Sequence, residues 1–224
     1  MASADPRTTV PVRISYPAVF KPRGFQDSDP KYSVTLMFDK TNKEQMASLK
    51  VLFDDATAVL NEAWPNKETQ PRIPMMGSDN SPIKDCDKAC DRQGIPLAEK
   101  NPPYVGHYII RCATGADSPP FRVDRNVEEI IDASVIYPGC FCKVNLNAYS
   151  YEVKGPTGAI INKGVTFGFN GIQFVKDGDR IGGTRKSVDQ MFEAEDPGAD
   201  DPANYAQDDP FGGSAPTDET DPFA

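Results

Sequence analysis

Apolar and polar positions alternate along several stretches of the chain and follow a helical spacing along one. Val10-Pro11-Val12-Arg13-Ile14-Ser15-Tyr16 puts Val10, Val12, Ile14 and Tyr16 on one face and predicts a strand, with Pro11 marking an edge or a strand start. Pro17 to Pro30 is polar and predicts a loop that carries Phe20, Lys21, Arg23 and Phe25. Lys31 to Phe38 alternates again, with Tyr32, Val34, Leu36 and Phe38 inward and Lys31, Ser33 and Thr35 outward. Thr41-Asn42-Lys43-Glu44 has the form of a capping box, with Thr41 as the N-cap. Met46, Leu49, Leu52, Phe53, Ala56, Val59, Leu60 and Ala63 then recur at helical spacing. Pro65 ends that helix, with Trp64 as its last residue.

The periodicity stops between Asn66 and Pro103, a length that marks a long irregular loop. Its Lys67, Arg72, Lys84, Lys88, Arg92 and Lys100 suit a flexible arm over an anionic ligand, or a plain surface insertion. Strand patterns return at Tyr104–Ala113, Phe121–Asp124, Ile130–Ile136, Phe141–Tyr151 and Val165–Val175. In the clearest of them Val144, Leu146 and Ala148 face one way, and Lys143, Asn145, Asn147, Tyr149 and Tyr151 the other. Gly155-Pro156-Thr157-Gly158 is a turn, and Gly168 and Gly171 permit a bulge. Phe167 and Phe169 are expected in the core. Five or more strands around one helix predict an all-β to α+β fold. The form that removes exposed edges is an oligonucleotide-binding (OB) type five-stranded barrel with one long helix, about 43–63. Residues 1–185 would form this domain and residues 186–224 a disordered acidic tail.

Charge sharpens the division. The chain has 224 residues and a formal net charge of −9. Ten of its 33 acids lie beyond residue 190, where there is no Lys or Arg, so residues 1–190 hold 24 basic and 23 acidic residues. The body is near neutral and the tail carries the excess. The tail is rich in Pro, Gly, Ala and Ser and cannot bury enough apolar area to offset its ordering entropy. Asp209-Pro210-Phe211 recurs as Asp221-Pro222-Phe223. A solvated tail has no need of phenylalanine, so the repeat suggests a recognition element for a partner with a basic, apolar-floored pocket.

The candidate chemistry is binding rather than catalysis. There is one histidine and no phosphate-cradling glycine motif. A Cys–His dyad through His107 has no supporting motif. The five cysteines are odd in number and irregularly spaced, which argues for reduced thiols, and a zinc site built from Cys86, Cys90, Cys112, Cys140, Cys142 and His107 would lack a known spacing. No metal or cofactor is expected. Neither a secretory start nor an apolar run long enough for a bilayer is present, so the expectation is a soluble intracellular protein without membrane contact. Single-strand binding needs cations along the phosphates and aromatic faces for the bases. Lys143, Tyr149 and Tyr151 offer both on one strand face, with Arg111 and His107 on a neighbouring strand and Asn145 and Asn147 as hydrogen-bonding groups. The alternative is that Tyr149 and Tyr151 pack under the long loop as half-buried strand aromatics.

Several segments, in order along residues 10–175, carry a family resemblance: Val12-Arg13-Ile14-Ser15-Tyr16 with Phe20, Lys31-Tyr32-Ser33-Val34-Thr35-Leu36, Pro82-Ile83-Lys84-Asp85-Cys86-Asp87, Gly106-His107-Tyr108, Pro138-Gly139-Cys140 and Val165-Thr166-Phe167-Gly168-Phe169-Asn170-Gly171-Ile172-Gln173. They resemble the phage single-stranded DNA-binding proteins with an OB fold, both the replication proteins of short-tailed coliphages and, more closely, a phage domain family of the same kind. Cys86 departs from the glycine expected there. Arg13, Lys31 and Lys84, within these segments, join the DNA-binding candidates. The resemblance implies sequence-independent binding of single-stranded DNA during phage replication, recombination and repair, in the cytoplasm of an infected bacterium. It also implies an acidic tail that contacts polymerase, helicase or nuclease partners, and a monomer or weak homodimer. Ala224 displaces the last phenylalanine from the terminus. Two other classes stay open: an adaptor whose β domain binds protein, and a phosphoryl-transfer enzyme using Asp85, Asp87 and Asp91 for metal.

Overall fold

A computed structural model describes residues 1–24, 29–71, 81–91 and 93–182. Phe25, Arg72, Arg92 and both Asp-Pro-Phe motifs lie outside the described residues. In chain order the elements are strand β1 (Arg7–Thr8), β2 (Val12–Arg23), β3 (Lys31–Asp39), helix α1 (Lys43–Ala63), β4 (Ile83–Asp85), α2 (Leu97–Lys100), a 3₁₀ turn (Pro102–Tyr104), β5 (His107–Gly115), β6 (Phe121–Val123), β7 (Phe141–Lys154) and β8 (Ile160–Lys176).

Five strands close on themselves in the order β7-β2-β3-β5-β8 and back to β7. All neighbours are antiparallel except β5 and β8, which run parallel at Cys112↔Phe167 and Ala113↔Gly168. Closure leaves no long unpaired edge in the ring. This is the OB-type ring expected from the strand count. Alternation fills its interior: Val12, Ile14, Val34, Leu36, Phe38, Ile110, Cys112, Val144, Leu146, Ala148, Phe167 and Phe169 are all buried in one cluster. Helix α1 adds Leu49, Leu52, Ala56 and Val59 to that cluster. At about 25 cal/mol per Å² of apolar area this burial dominates the stability of the domain. β1, β4 and β6 lie outside the ring, on β7, β5 and β8 respectively.

Local details depart from the pattern in physically readable ways. The N-cap of α1 is Asn42, not Thr41; its Oδ1 accepts from the Glu44 and Gln45 amides at 3.0 and 3.1 Å. The Thr41 hydroxyl instead donates to Asp39 Oδ1 at 2.7 Å. Trp64 is the C-cap residue rather than the last helical one. β2 continues to Arg23, well into the stretch expected as a loop, and bulges on the way: pairing skips between Ser15↔Thr35 and Ala18↔Ser33. At the bulge Tyr16 takes φ +46° and turns outward to 64 % exposure, breaking the one-face alternation. The Ile130–Ile136 stretch forms no strand, although Ile130 and Ile136 are buried.

The described part of the long connection is folded against the barrel rather than loose. Ile83 is buried, and Cys86 and Tyr104 pack on Met37 in a second small core. Lys40 Nζ bridges Asp85 Oδ1 at 2.5 Å and Asp87 Oδ2 at 2.6 Å, pinning the 85–87 turn to the end of β3. Asp91 is held by Lys100 at 3.0 Å. The three aspartates considered for metal thus each face a lysine ammonium.

Candidate nucleic-acid interface

β4 extends the sheet beside β5, pairing Ile83↔Ile110, Lys84↔Ile109 and Asp85↔Tyr108. Beside it an open groove of about 700 Å³ runs over β3, β5, β7 and β8. Lys31 and Ser33 come from β3, Lys84 from β4, Ile109 and Arg111 from β5, and Tyr149 and Tyr151 from β7. Alternation explains the set. Lys31, Ser33, Arg111, Tyr149 and Tyr151 occupy the parity opposite Val34, Ile110, Cys112 and Ala148, which fill the barrel.

Two glycines of β8 shape the aromatic wall. Gly164 pairs with Tyr151 across the strands, and a Cβ there would stand 3.0 Å from the Tyr151 Oη and 3.2 Å from its ring. A Cβ on Gly168 would stand 2.9 Å from Asn147 Oδ1 and in ordinary contact, 3.5 Å, with the Tyr149 ring. Without side chains at these positions both rings lie over the sheet backbone, each half-buried and keeping part of its surface open. Burial, and then the neighbouring Tyr151, push the Tyr149 phenol above its ordinary value.

The groove is also electrostatically one-sided. Lys31, Lys84 and Arg111 line it, and among the described residues no Asp or Glu does. Among the described residues none of these three is in an ion pair, whereas Arg7, Lys40, Lys50, Lys88, Lys100 and Arg122 are.

The other sequence candidates lie elsewhere. Arg13 donates to the carbonyls of Gly139 and Asp179, at 3.3 and 2.5 Å, and ties β2 to the chain around β7 and β8. His107 sits at the start of β5 opposite Asp39, its Nδ1 2.7 Å from the Val105 carbonyl. Lys143 shares the outer parity of β7 with Tyr149 but pairs with Gln173, away from the groove. Asn145 and Asn147 are engaged by the chain itself. Their amides donate to Thr8 Oγ1 at 2.9 Å and Ser3 Oγ at 3.0 Å, and both carbonyls accept from Asn170 at 3.0 and 3.2 Å. The N-terminal segment beside β7 makes these bonds, and its pattern has no strand alternation to announce it. Asn170 is the bulged residue of β8, between Asn145↔Gly171 and Leu146↔Phe169. Ser33, Ile109 and Thr166 line the groove without having been singled out. Their outward parity was readable, but neither charge nor ring distinguished them.

The sequence matches the profile of the family described as the ssDNA-binding protein of Enterobacter phage Enc34, over residues 7–202. The chain belongs to this phage family. Within it, the solved single-stranded DNA-binding protein of bacteriophage Enc34 in complex with ssDNA is 22% identical, with a TM-score of 0.57, covering 79% of this chain and 89% of that one. A second solved structure of the single-stranded DNA-binding protein from bacteriophage Enc34 gives 21% identity and a TM-score of 0.60, covering 84% of this chain and 90% of that one. The single-stranded DNA-binding protein gp2.5 of bacteriophage T7 shares the fold at 14% identity and a TM-score of 0.50, covering 84% and 95%. Among curated relatives the p50 protein of Acyrthosiphon pisum secondary endosymbiont phage 1 is 25% identical over 183 residues, 80% of this chain and 89% of that protein. The chain is therefore a phage ssDNA-binding family member with an OB-like ring, from a family of binding proteins rather than enzymes. The family match contains every groove residue named above and ends before both Asp-Pro-Phe motifs. Among the described residues no helix is long and apolar enough to cross a membrane.

Proposed function

We propose that this chain coats single-stranded DNA without regard to sequence, in phage replication, recombination and repair, and that the strand runs through the β3–β5–β7–β8 groove. The observation that carries this reading is the groove's composition: three cations and two tyrosines, and no acid among the described residues, in a chain of net charge −9. Lys31, Lys84 and Arg111 would track phosphates. Tyr149 and Tyr151 would stack bases, which every base permits, at about 1–3 kcal/mol each. Charge neutralisation releases counterions, so affinity falls with salt. Replacing Lys31, Lys84 and Arg111 together by alanine is expected to reduce the slope of log K against log salt by about 2, at roughly 0.7 per lost phosphate contact on single strands. An unchanged slope in anisotropy titrations at several salt concentrations would show that these cations meet no phosphate.

The tail supplies regulation in this proposal. Its ten acids compete with DNA for the same cations, and displacement frees Asp209-Pro210-Phe211 and Asp221-Pro222-Phe223 to recruit replication proteins. The charge segregation along the sequence supports this. Removing residues 191–224 should tighten oligo-dT binding by about tenfold at low ionic strength and steepen its salt dependence, because tail competition is itself screened by salt. Equal affinities for the full and shortened chains at low and moderate salt would remove the tail from the mechanism.

A further inference from the structure

A second groove, about 580 Å³, is lined by Tyr16, Phe20, Lys21, Arg23, Tyr137 and Arg180 over buried Val19 and Ile136. Among the described residues no Asp or Glu lines it. It repeats the chemistry of the first groove with different residues. The Arg180 guanidinium lies over the Tyr137 ring at 4.1 Å from its centroid, which holds a flat cation beside the groove. Tyr16 is exposed and held at φ +46°, a backbone region that is unfavourable for an aromatic residue, and its hydroxyl donates to Asn101 Oδ1 at 3.0 Å. Among the described residues Lys21, Arg23 and Arg180 form no ion pair.

The two grooves adjoin along the β2–β3 pairing. Ala18 of the second is the register partner of Ser33 of the first, and Arg23 is the partner of Lys31. Arg23 and Lys31 are both exposed, and like charges placed opposite one another across a strand pair destabilise it. A polyanion crossing the hairpin at that point would relieve the repulsion and join the grooves into one track. We infer that the second groove is a continuation of the DNA path, occupied by nucleotides that have passed over the β2–β3 edge from the first. This rests on the proposed function, and it predicts a footprint longer than the first groove alone.

The experiment compares oligo-dT of about five and about fifteen nucleotides, lengths within the range of roughly 4–16 per OB domain. Both are titrated against the full-length protein and against Lys21→Ala/Arg23→Ala. Both residues are exposed and Arg23 stands opposite Lys31, so loss of the two charges should leave the thermal midpoint unchanged or slightly raised. The short oligonucleotide should bind both proteins alike. The long one should bind the variant about tenfold more weakly, with a salt slope lower by about 1.4 for two lost contacts. As a second readout, a 5-iodouracil-substituted long oligonucleotide should cross-link to Tyr16 or Phe20, and the short one should not. Unchanged affinity for the long oligonucleotide, or equal losses at both lengths, overturns the continuation. Failure of the wild-type protein to bind either length would instead overturn the proposed function itself.

Discussion

Replacing Tyr149 and Tyr151 together by alanine is expected to lower affinity for oligo-dT by roughly 30-fold to 10⁴-fold, from two stacking losses of about 1–3 kcal/mol each. The rings can act as platforms because of what lies beneath them. Gly164 and Gly168 leave the sheet bare there, so the rings rest on backbone and keep surface for a base. Phenylalanine at both positions should bind nearly as well, since stacking uses the ring and not the hydroxyl. The salt slope of the alanine variant should match the wild type, because the phosphate contacts are intact. That separates loss of stacking from loss of charge. Both rings are only half-buried, so the thermal midpoint should fall by a few degrees, in line with a loss of about 1 kcal/mol. Wild-type affinity in the double alanine variant, measured by anisotropy of a labelled oligonucleotide, would mean the tyrosines are packing groups that DNA does not touch.

Lys40→Met should be the most damaging single change outside the barrel core. The Asp85 side chain is only 3% exposed and Lys40 is its closest cation, with Lys88 reaching it only at 3.9 Å. Removing the ammonium leaves a buried carboxylate short of a partner, at a cost of about 3 kcal/mol. The damage should extend to function. The same ammonium pins the turn after β4, and β4 carries Lys84 into the groove. Weaker oligo-dT binding with a reduced salt slope is therefore expected beside the lower thermal midpoint. Lys40→Arg, which keeps the charge, should recover most of both. The acid limb adds a signature. The Lys40 contact first, and then the Gly106 amide, hold Asp87 below the usual carboxylate range. A carboxylate depressed in the folded state contributes stability that is present above its unfolded value of about 3.9 and is lost as pH falls through the folded value. The wild type should lose this contribution below about pH 4, and the Met variant should show a flatter dependence there. A Met variant with wild-type midpoint and binding would contradict the bridging role.

Much of this arrangement is legible in the sequence, for reasons that also set where legibility ends. Period-two alternation over Lys31–Phe38 and Phe141–Tyr151 separates core from surface, and the structure buries Val34, Leu36, Phe38, Val144, Leu146 and Ala148. The helix stripe behaves likewise because its spacing reports one buried face. Of the ten proposed DNA contacts, Lys31, Lys84, Arg111, Tyr149 and Tyr151 come together in the groove. Parity does not say how far along a face the groove extends, and it puts Lys143 on one face with Tyr149 although the two are separated along β7. Asn145 and Asn147 looked available because nothing in Ser3 or Thr8 announces that the N-terminal segment will bond to them. The β2 bulge was hidden for a related reason. A one-residue offset at Tyr16–Pro17 is a tertiary solution to sheet coiling, and it leaves no mark in an otherwise regular alternation. The 81–106 stretch lacks periodicity because it covers another surface with scattered anchors, Ile83, Cys86 and Tyr104, rather than with a continuous face.

The most direct measurement is photo-cross-linking of the full-length protein to an oligonucleotide carrying 5-iodouracil, with the attachment sites mapped by mass spectrometry. Cross-links at Tyr149 and Tyr151, suppressed by unlabelled oligo-dT and by high salt, are the predicted result. Efficient cross-linking that spares both residues and falls on the α1 side of the barrel would place the DNA on a different surface and contradict the account.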